Sequence, residues 1–158
     1  MEAEKPICLA LHLCESTYRD AAAGKSYLLG IMEGIRTPQI PYVAPVILVY
    51  FELTSARGEY ELDVAIEREG SDEPVRTIVP RRTVTLEDPL QVYAVNAQVR
   101  GLAFNAPGRY WFKVRVNGML LAQRSLIVRL VAPGASTRPP AAEVTRPPRS
   151  ATDSPVDE

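Results

Sequence analysis

The side chains with the clearest capacity for chemistry lie near the start of the chain: Cys8, His12 and Cys14. Thiolate and imidazole groups are preferred ligands of zinc. If this segment is an extended strand, Cys8 and His12 lie about 13 Å apart, and only His12 and Cys14 can share an ion. Two further ligands would have to come from elsewhere, so we predict no metal site at these residues.

The sequence offers few side chains that could support nucleophilic catalysis. His12 is the single histidine, hence the sole imidazole base, and no Gly-x-Ser-x-Gly motif accompanies it. The tripeptide Gly24-Lys25-Ser26 resembles part of a phosphate-binding loop, but the glycine spacing does not match and no helix is predicted to begin there. We therefore predict a non-enzymatic protein with no catalytic residue and no cofactor.

Carboxylates are plentiful, because the chain has 19 acidic residues. Glu61, Asp63 and Glu67 fall on one face of a predicted strand, a pattern typical of a solvated sheet face. The acidic turn at residues 69–73 comes nearest to the loop spacing of a calcium site, without matching it. An enzyme built on acids that the sequence cannot pair is the third alternative, behind two binding functions.

The candidate interface consists of Trp111, Lys113 and Arg115, which are predicted to share the outer face of one strand. A large aromatic side chain on an outer face either lies beneath a loop or meets a partner. Cations beside an aromatic ring could also stack on nucleic-acid bases. However, a formal net charge of −1 gives no general attraction to phosphate backbones or anionic lipid. We therefore expect a protein partner, no nucleic acid and no membrane.

An alternating segment late in the sequence predicts the element that positions these residues. Apolar residues recur at every second position across residues 109–116, which indicates a strand with one buried and one wet face. Pro107 and Gly108 are predicted to form the turn before it. Asn117 and Gly118 follow it, and Asn-Gly is preferred in type I′ hairpin turns because both central residues need positive φ. The segment therefore predicts antiparallel β-structure.

Further strands are predicted from β-branched and aromatic runs bounded by turn residues. They span residues 7–15, 27–35, 46–53, 60–67, 75–79, 83–86, 91–102 and 119–131. Pro38, Pro41 and Pro45 are expected to exclude regular structure before the third of these strands. About seven to nine short strands separated by turns are typical of an all-β sandwich or barrel. The long proline-rich connections favour an antiparallel sandwich.

The first predicted strand also bears on the cellular compartment of the protein. Leu9, Leu11 and Leu13 are predicted to share one face. Cys8 and Cys14 fall on the other, about 20 Å apart on an extended strand, whereas a disulfide needs Cα atoms within about 7 Å. Both thiols are expected to be reduced, as in the cytosol. Because the start of the chain is unlike a secretory signal and no run of about 18 apolar residues occurs, we predict a cytoplasmic protein.

Composition changes sharply at Pro133. The residues from there onward include six prolines but only two large aliphatic side chains, Val144 and Val156. Such a segment cannot bury enough apolar surface to offset its ordering entropy. We therefore predict a β-sandwich domain at residues 6–131 and a disordered proline-rich tail at residues 132–158. A Thr-Arg-Pro-Pro repeat within the tail either only solubilises it, or docks in a proline-binding groove or serves as a phosphorylation site.

The sequence therefore favours an interaction or scaffold module that offers a sheet face or edge to a partner, with the tail as a tether. The alternative is a small-molecule or carbohydrate-binding module. In that case Trp111, Tyr93 or Tyr42 would form the aromatic platform for the ligand.

Two motifs carry a family resemblance. The first is Gly-Lys-x-x-Leu-x-Gly at residues 24–30, and the second is Pro-Gly-x-Tyr-x-Phe-x-Val at residues 107–114. Together they resemble the opening and the closing hairpin of a bacterial family of small proteins of unknown function. The resemblance covers roughly residues 7–130. It implies an immunoglobulin-like β-sandwich and implies no activity, cofactor or catalytic residue.

Overall fold

The computed structural model describes residues 4–134 of the chain. The strands are β1 (Ile7–Cys14), β2 (Ser16–Asp20), β3 (Lys25–Leu29), β4 (Gly34–Thr37), β5 (Tyr42–Thr54), β6 (Gly58–Arg68), β7 (Arg76–Leu86), β8 (Tyr93–Phe104), β9 (Gly108–Val116) and β10 (Met119–Leu130). They form three sheets, ordered β1-β5-β8, β4-β10-β9-β6-β7 and β2-β3. The described residues contain no helix, so the prediction of an all-β protein is confirmed.

The two larger sheets contribute their inner faces to one hydrophobic core. Alternate residues of each strand point inward, because successive side chains of a strand project to opposite faces. In β9 the inward residues are fully or almost fully buried, and the intervening ones are half-buried. The largest fully buried side chains are Tyr60, Phe51, Phe104 and Phe112. The core therefore depends on aromatic rings supplied by both sheets.

The β9–β10 hairpin closes as its sequence predicts. Asn117 and Gly118 have φ values of 49° and 79°, the positive values that a type I′ turn requires. Asn117 also joins the hairpin to β6, since its side-chain oxygen accepts a hydrogen bond from the backbone N–H of Glu61 at 2.9 Å. The turn therefore sets the register of β9 against both neighbouring strands.

The first strand differs from its predicted pattern. A register shift between Cys8 and Ala10 places one extra residue in β1 relative to β5. Leu9 is consequently 54% exposed, whereas Cys8 packs against the main core. The prediction that Leu9 shares the inner face with Leu11 and Leu13 is wrong, because a β-bulge reverses the alternation at that point.

Proline does not end structure where it was expected to. β5 begins at Tyr42 and runs through Pro45, although regular structure was predicted only from residue 46. Near Pro45, β5 pairs with β8 alone, because the pairing with β1 stops at Leu48. A strand with a neighbour on one side only can accept a residue that lacks an N–H donor.

The predicted strands at residues 75–79 and 83–86 form one edge strand, β7, instead of two. Its pairing with β6 shifts register between Leu62 and Val64, opposite Pro80. The bulge absorbs the proline without ending the strand. Proline on an edge also discourages pairing with a further strand, so β7 is protected against edge-to-edge association.

Two arginines join the edges of the larger sheets. Arg124 of β10 donates to the carbonyl oxygen of Leu11 in β1 at 3.2 Å. Arg82 of β7 donates to the carbonyl oxygen of Asn96 in β8 at 3.1 Å. The Arg82 bond connects two edge strands, whereas the Arg124 bond connects the edge strand β1 with a part of β10 that precedes its pairing with β4. The two sheets are therefore tied by hydrogen bonds as well as by the core.

The β2–β3 hairpin covers part of the outer face of the β1-β5-β8 sheet. Its Leu28 packs against a second small cluster formed by Cys14, Leu48 and Tyr50. β2 was not predicted, because its polar sequence suggested only a turn, and the strand predicted at residues 27–35 is divided into β3 and β4. That turn is present: the side-chain oxygen of Asp20 accepts hydrogen bonds from the N–H groups of the second and third residues after it, at 3.0 and 3.1 Å.

The predicted disordered tail at residues 132–158 lies outside the described residues, apart from residues 132–134. No helix in the described part of the chain is long and apolar enough to cross a membrane.

Candidate functional site

The predicted interface residues lie side by side on the outer face of the five-stranded sheet. Trp111, Lys113 and Arg115 are all half-buried and alternate with the buried residues of β9. The Lys113 ammonium group forms an ion pair with Glu67 of β6. Arg115 forms an ion pair with Asp63 of the same strand. Both cations of the predicted interface are therefore engaged by acids within the domain.

Asp63 is the most deeply placed acid on this face. The residue is 3% exposed, so the prediction that Glu61, Asp63 and Glu67 form a solvated row is wrong at this position. Arg115 donates from Nε to the Oδ2 atom of Asp63 at 2.7 Å, and its Nη2 donates to the hydroxyl of Thr77 at 2.8 Å. The long guanidinium group bridges β9, β6 and β7, which explains why an acid can be buried on an outer face.

Trp111 is held by its neighbours on the same face. The guanidinium carbon of Arg109 lies 5.8 Å from the centre of its ring, within the range of a cation–π contact. Arg109 in turn forms an ion pair with Glu69 at 3.6 Å. Each of the three cations on this face thus pairs with an acid of β6 or of the turn that follows it, which leaves little unpaired charge for a partner.

A tyrosine near the start of β9, just after the predicted turn, is held by a hydrogen bond and a ring contact. Tyr110 is 8% exposed, and its hydroxyl donates to the carbonyl oxygen of Ala106 at 2.6 Å. Its ring meets Phe104 edge to face, with centroids 4.9 Å apart. Between them, Pro107 is followed by Gly108, whose φ of 142° suits glycine. The turn therefore anchors the start of β9 to the loop that precedes it.

A different surface carries unpartnered aromatic side chains: the outward face of the β2–β3 hairpin. Tyr18 and Tyr27 lie directly opposite one another, with ring centroids 5.9 Å apart. They are 57% and 46% exposed, and Leu29 on the same face is 50% exposed. Successive residues of a strand project to opposite faces, so Leu28 points away from this surface, into the small cluster beneath. The hairpin thus packs Leu28 against the domain and displays apolar side chains on its other face.

The three aromatic residues named for the alternative ligand platform, Trp111, Tyr93 and Tyr42, lie at separate places in the fold. Tyr42 and Tyr93 lie at the two ends of the β5–β8 pair. Tyr42 pairs with Phe104 and Tyr93 pairs with Leu53. The Tyr93 hydroxyl accepts hydrogen bonds from the N–H groups of residues 87 and 88 at 2.9 and 2.8 Å. Trp111 belongs to the other large sheet. The three rings therefore form no shared platform, and a ligand platform at any single one of them stays a prediction.

Cys8, His12 and Cys14 lie on β1 but do not assemble a metal centre. Within residues 4–134, no group of three His, Cys, Asp or Glu side chains lies close enough to hold a metal ion. Both cysteines are free thiols, and burial raises the pKa of each. The buried Nδ1 atom of His12 has no hydrogen-bond partner among the described residues.

A pocket of about 400 Å³ opens at one end of the domain. It is bounded by the end of β6, the start of β7, the end of β8 and the loop before β9. Its lining residues are Ile66, Arg68, Glu73, Pro74, Val75, Arg76, Ala103, Asn105, Ala106 and Tyr110. Sequence reasoning did not single out this site, because its walls come from four separate stretches of chain.

One known protein family matches most of the chain. A model described as a family of unknown function, DUF6941, matches residues 9–129. The chain belongs to this family. The match includes both motifs that carried the resemblance and every strand of the two larger sheets at least in part. No match to a curated protein was found.

Several solved structures show distant similarity. One is the Pseudomonas fluorescens alkylpurine DNA glycosylase AlkC bound to DNA containing an abasic site analogue, with 16% identity and a TM-score of 0.46 over 78% of this chain and 30% of that one. Two structures of a Listeria innocua β-glucosidase, one with glucose, have identities of 11% and 9%, each with a TM-score of 0.45. They match 66% and 80% of this chain and 16% of theirs. This chain therefore spans less than a third of each.

Proposed function

We propose that this domain is a non-enzymatic protein-interaction module whose contact surface is the outward face of the β2–β3 hairpin. The observation that carries the proposal is the pair of neighbouring tyrosines, Tyr18 and Tyr27, exposed beside Leu29. Tyrosine is enriched among the residues that contribute most to binding energy at protein interfaces. Its ring supplies a large contact area at a low entropic cost.

The hairpin is a better candidate than the face that bears Trp111. The cations around Trp111 are paired with Asp63, Glu67 and Glu69, so a partner would have to displace or overlay existing contacts. The hairpin tyrosines have no hydrogen bond to other described residues that would hold them. Binding there would bury apolar surface without breaking internal bonds, which makes desolvation favourable.

The charge of the hairpin favours a protein partner over a nucleic acid or a lipid surface. Besides the aromatic pair, the outward face carries Asp20 opposite Lys25, one charge of each sign. A site for phosphate backbones would instead need several unpaired cations. We infer a protein partner whose contact surface has an apolar centre and little net charge.

The fold that we propose for this module is an immunoglobulin-like sandwich. Lettered along the chain as A (β1), B (β5), C (β6), C′ (β7), E (β8), F (β9) and G (β10), the larger sheets have the orders A-B-E and β4-G-F-C-C′, in which the short β4 pairs in parallel with G. This agrees with the division of strands in immunoglobulin domains. The bond from Tyr110 to Ala106 supports the proposal, because immunoglobulin domains carry such a tyrosine corner at the start of strand F. The β2–β3 hairpin is then an insertion after strand A.

The two free thiols, Cys8 and Cys14, support a reducing compartment, and we place the module in the cytoplasm. Residues 135–158 are proposed to tether the same partner. Their deletion should weaken capture without affecting the hairpin contact itself, since they are not part of the hairpin.

Site-specific cross-linking tests the contact surface. A photo-reactive benzoylphenylalanine at Tyr27 in the full chain, expressed in its native host, should give one major cross-linked protein. The same group at Leu90, which is 92% exposed in the β7–β8 connection, is the matched control and should not capture that protein. Equal capture at both positions, or at neither, would overturn the proposal.

Affinity measurements with the captured protein complete the test. Tyr18→Ala and Tyr27→Ala should each weaken binding at least about tenfold, whereas Leu90→Ala should leave it within about twofold. If the cross-linked species is a second copy of this chain, sedimentation will show a dimer that the tyrosine variants dissociate. That result would replace the inferred heterologous partner by self-association.

A further inference from the structure

The inward-facing row of β6 ends in a charged residue where the pocket opens. Residues 60, 62, 64 and 66 of this strand are buried and apolar, and Arg68 occupies the next position of the same alternation. It therefore lies at the margin of the core, against the pocket wall. A methylene stem beside apolar side chains with the guanidinium group at the polar end is the usual arrangement for a half-buried arginine.

The guanidinium group of Arg68 lacks a partner among the described residues. Its Nε atom is buried and donates no hydrogen bond within residues 4–134. A Cβ atom placed on Gly108 would lie 3.4 Å from this Nε, so the bare backbone of that glycine leaves room for the group. A buried donor without an acceptor destabilises the fold, and more so when the group is charged. An arriving acceptor would relieve that destabilisation.

The rest of the pocket defines what kind of acceptor fits. Arg76 adds a second cation and Glu73 adds one anion, so the ionised lining carries a net charge of one positive unit. Asn105 supplies an amide. Ile66, Val75 and the ring of Tyr110 form an apolar wall, because the Tyr110 hydroxyl is already bonded to Ala106. A volume of about 400 Å³ lies in the usual range for small-ligand sites.

We propose that this pocket binds a carboxylate attached to a small apolar group, with Arg68 as the residue that pairs with the carboxylate. The planar fork of arginine matches the two oxygens of a carboxylate. A monoanion balances the net charge of the lining, whereas a dianion would meet repulsion from Glu73. The apolar wall takes the ligand body. The site is separate from the hairpin surface, so it is a second binding function of the domain.

Calorimetric titration of the full chain tests the site with N-acetyl-leucine, which carries the proposed chemistry. The matched ligand is N-acetyl-leucine amide, which has the same apolar group and no charge. We expect binding of the acid to be at least about tenfold stronger than binding of the amide. Equal affinity for the two, or stronger binding of inorganic phosphate, would overturn the proposal.

Variants then assign the charge contact. Arg68→Met should weaken binding of the acid at least about tenfold and leave binding of the amide unchanged, with partial recovery in Arg68→Lys. Arg100→Met, on the exposed part of β8, is the control and should have no effect. If Arg68→Met unfolds the domain, Arg76→Met gives the same comparison from an exposed position. The assignment is overturned if all of these variants keep the selectivity for the acid over the amide.

A peptide arm identifies the source of the carboxylate. A tetrapeptide that ends in leucine with a free carboxyl group is compared with its amidated form and with N-acetyl-leucine. Tighter binding of the free-carboxyl peptide than of N-acetyl-leucine identifies a chain terminus as the ligand. Binding of N-acetyl-leucine alone identifies a free acid. Both outcomes keep the proposal, and failure of all carboxylates overturns it while leaving the hairpin proposal untouched.

Discussion

Arg115 binds Asp63 through a single carboxylate oxygen. Its Nε and Nη2 atoms both donate to Oδ2, while Oδ1 of Asp63 is buried with no partner among the described residues. The acid is thus compensated by one guanidinium group, which also bonds Thr77. An acid buried with one partner depends strongly on that partner, because a lone buried charge is costly.

Arg115→Met should therefore lower the free energy of unfolding by about 2–4 kcal/mol, measured by urea denaturation. The control is Arg81→Met, which removes an ion pair with Glu61 whose side chains are 58% and 53% exposed, and should cost less than about 1 kcal/mol. Replacing both members, as in Asp63→Leu with Arg115→Met, should restore part of the loss. Similar costs for both single variants would contradict this account of Asp63.

The Tyr110 hydroxyl should contribute measurably to stability. Tyr110→Phe removes the donor to Ala106 and should lower the free energy of unfolding by about 1–2 kcal/mol. Tyr27→Phe removes an exposed hydroxyl and serves as the control, with an expected change within about 0.5 kcal/mol. An unchanged melting temperature in Tyr110→Phe would mean that the bond adds nothing to the anchoring of β9.

The hairpin turn gives a test of backbone strain alone. A Cβ atom on Gly118 would meet nothing within 4 Å, so the φ of 79° is the only obstacle to substitution. Gly118→Val should cost about 1–2 kcal/mol, because a β-branched residue resists positive φ. Gly118→Asn should cost less, since asparagine adopts this conformation more readily. Equal melting temperatures for the two variants would refute the strain argument.

The parts of the fold that were predicted correctly are those specified locally. The alternation of β9 and the Asn117-Gly118 pair predict a hairpin because both signals lie within a few residues of one another. The reversal of alternation at Leu9 was missed because a bulge depends on the register of the partner strand, not on local sequence. The short strand β2 was missed because its polar residues lack an alternating pattern, and β3 and β4 were predicted as one strand at residues 27–35.

The candidate sites follow the same division. Arg68 interrupts an apolar row at an inward position, and that local signal was present in the sequence. The pocket around it was not predictable, because Ala103 and Asn105 arrive from distant parts of the chain. The burial of Asp63 was hidden for a related reason: Thr77 and Arg115 reach it from two other strands.

Alkaline pH should weaken the domain through Tyr50. Burial beneath the β2–β3 hairpin, followed by its bond to Glu52 at 2.6 Å, raises the pKa of Tyr50 from 10.0 to about 12. The folded state thus holds this proton more tightly than the unfolded state. Its stabilising effect is complete below pH 10 and is lost as pH rises from 10 through about 12.

Urea denaturation across that pH range should accordingly give a free energy of unfolding that falls with pH, and Tyr50→Phe should flatten the fall. Some slope should remain in the variant, because burial also raises the pKa of Tyr60. Tyr27→Phe, which alters an exposed hydroxyl, is the control and should keep the full slope. A Tyr50→Phe profile that parallels the control would contradict the view that the hairpin seals Tyr50 from water, because an open site would ionise at its ordinary pKa.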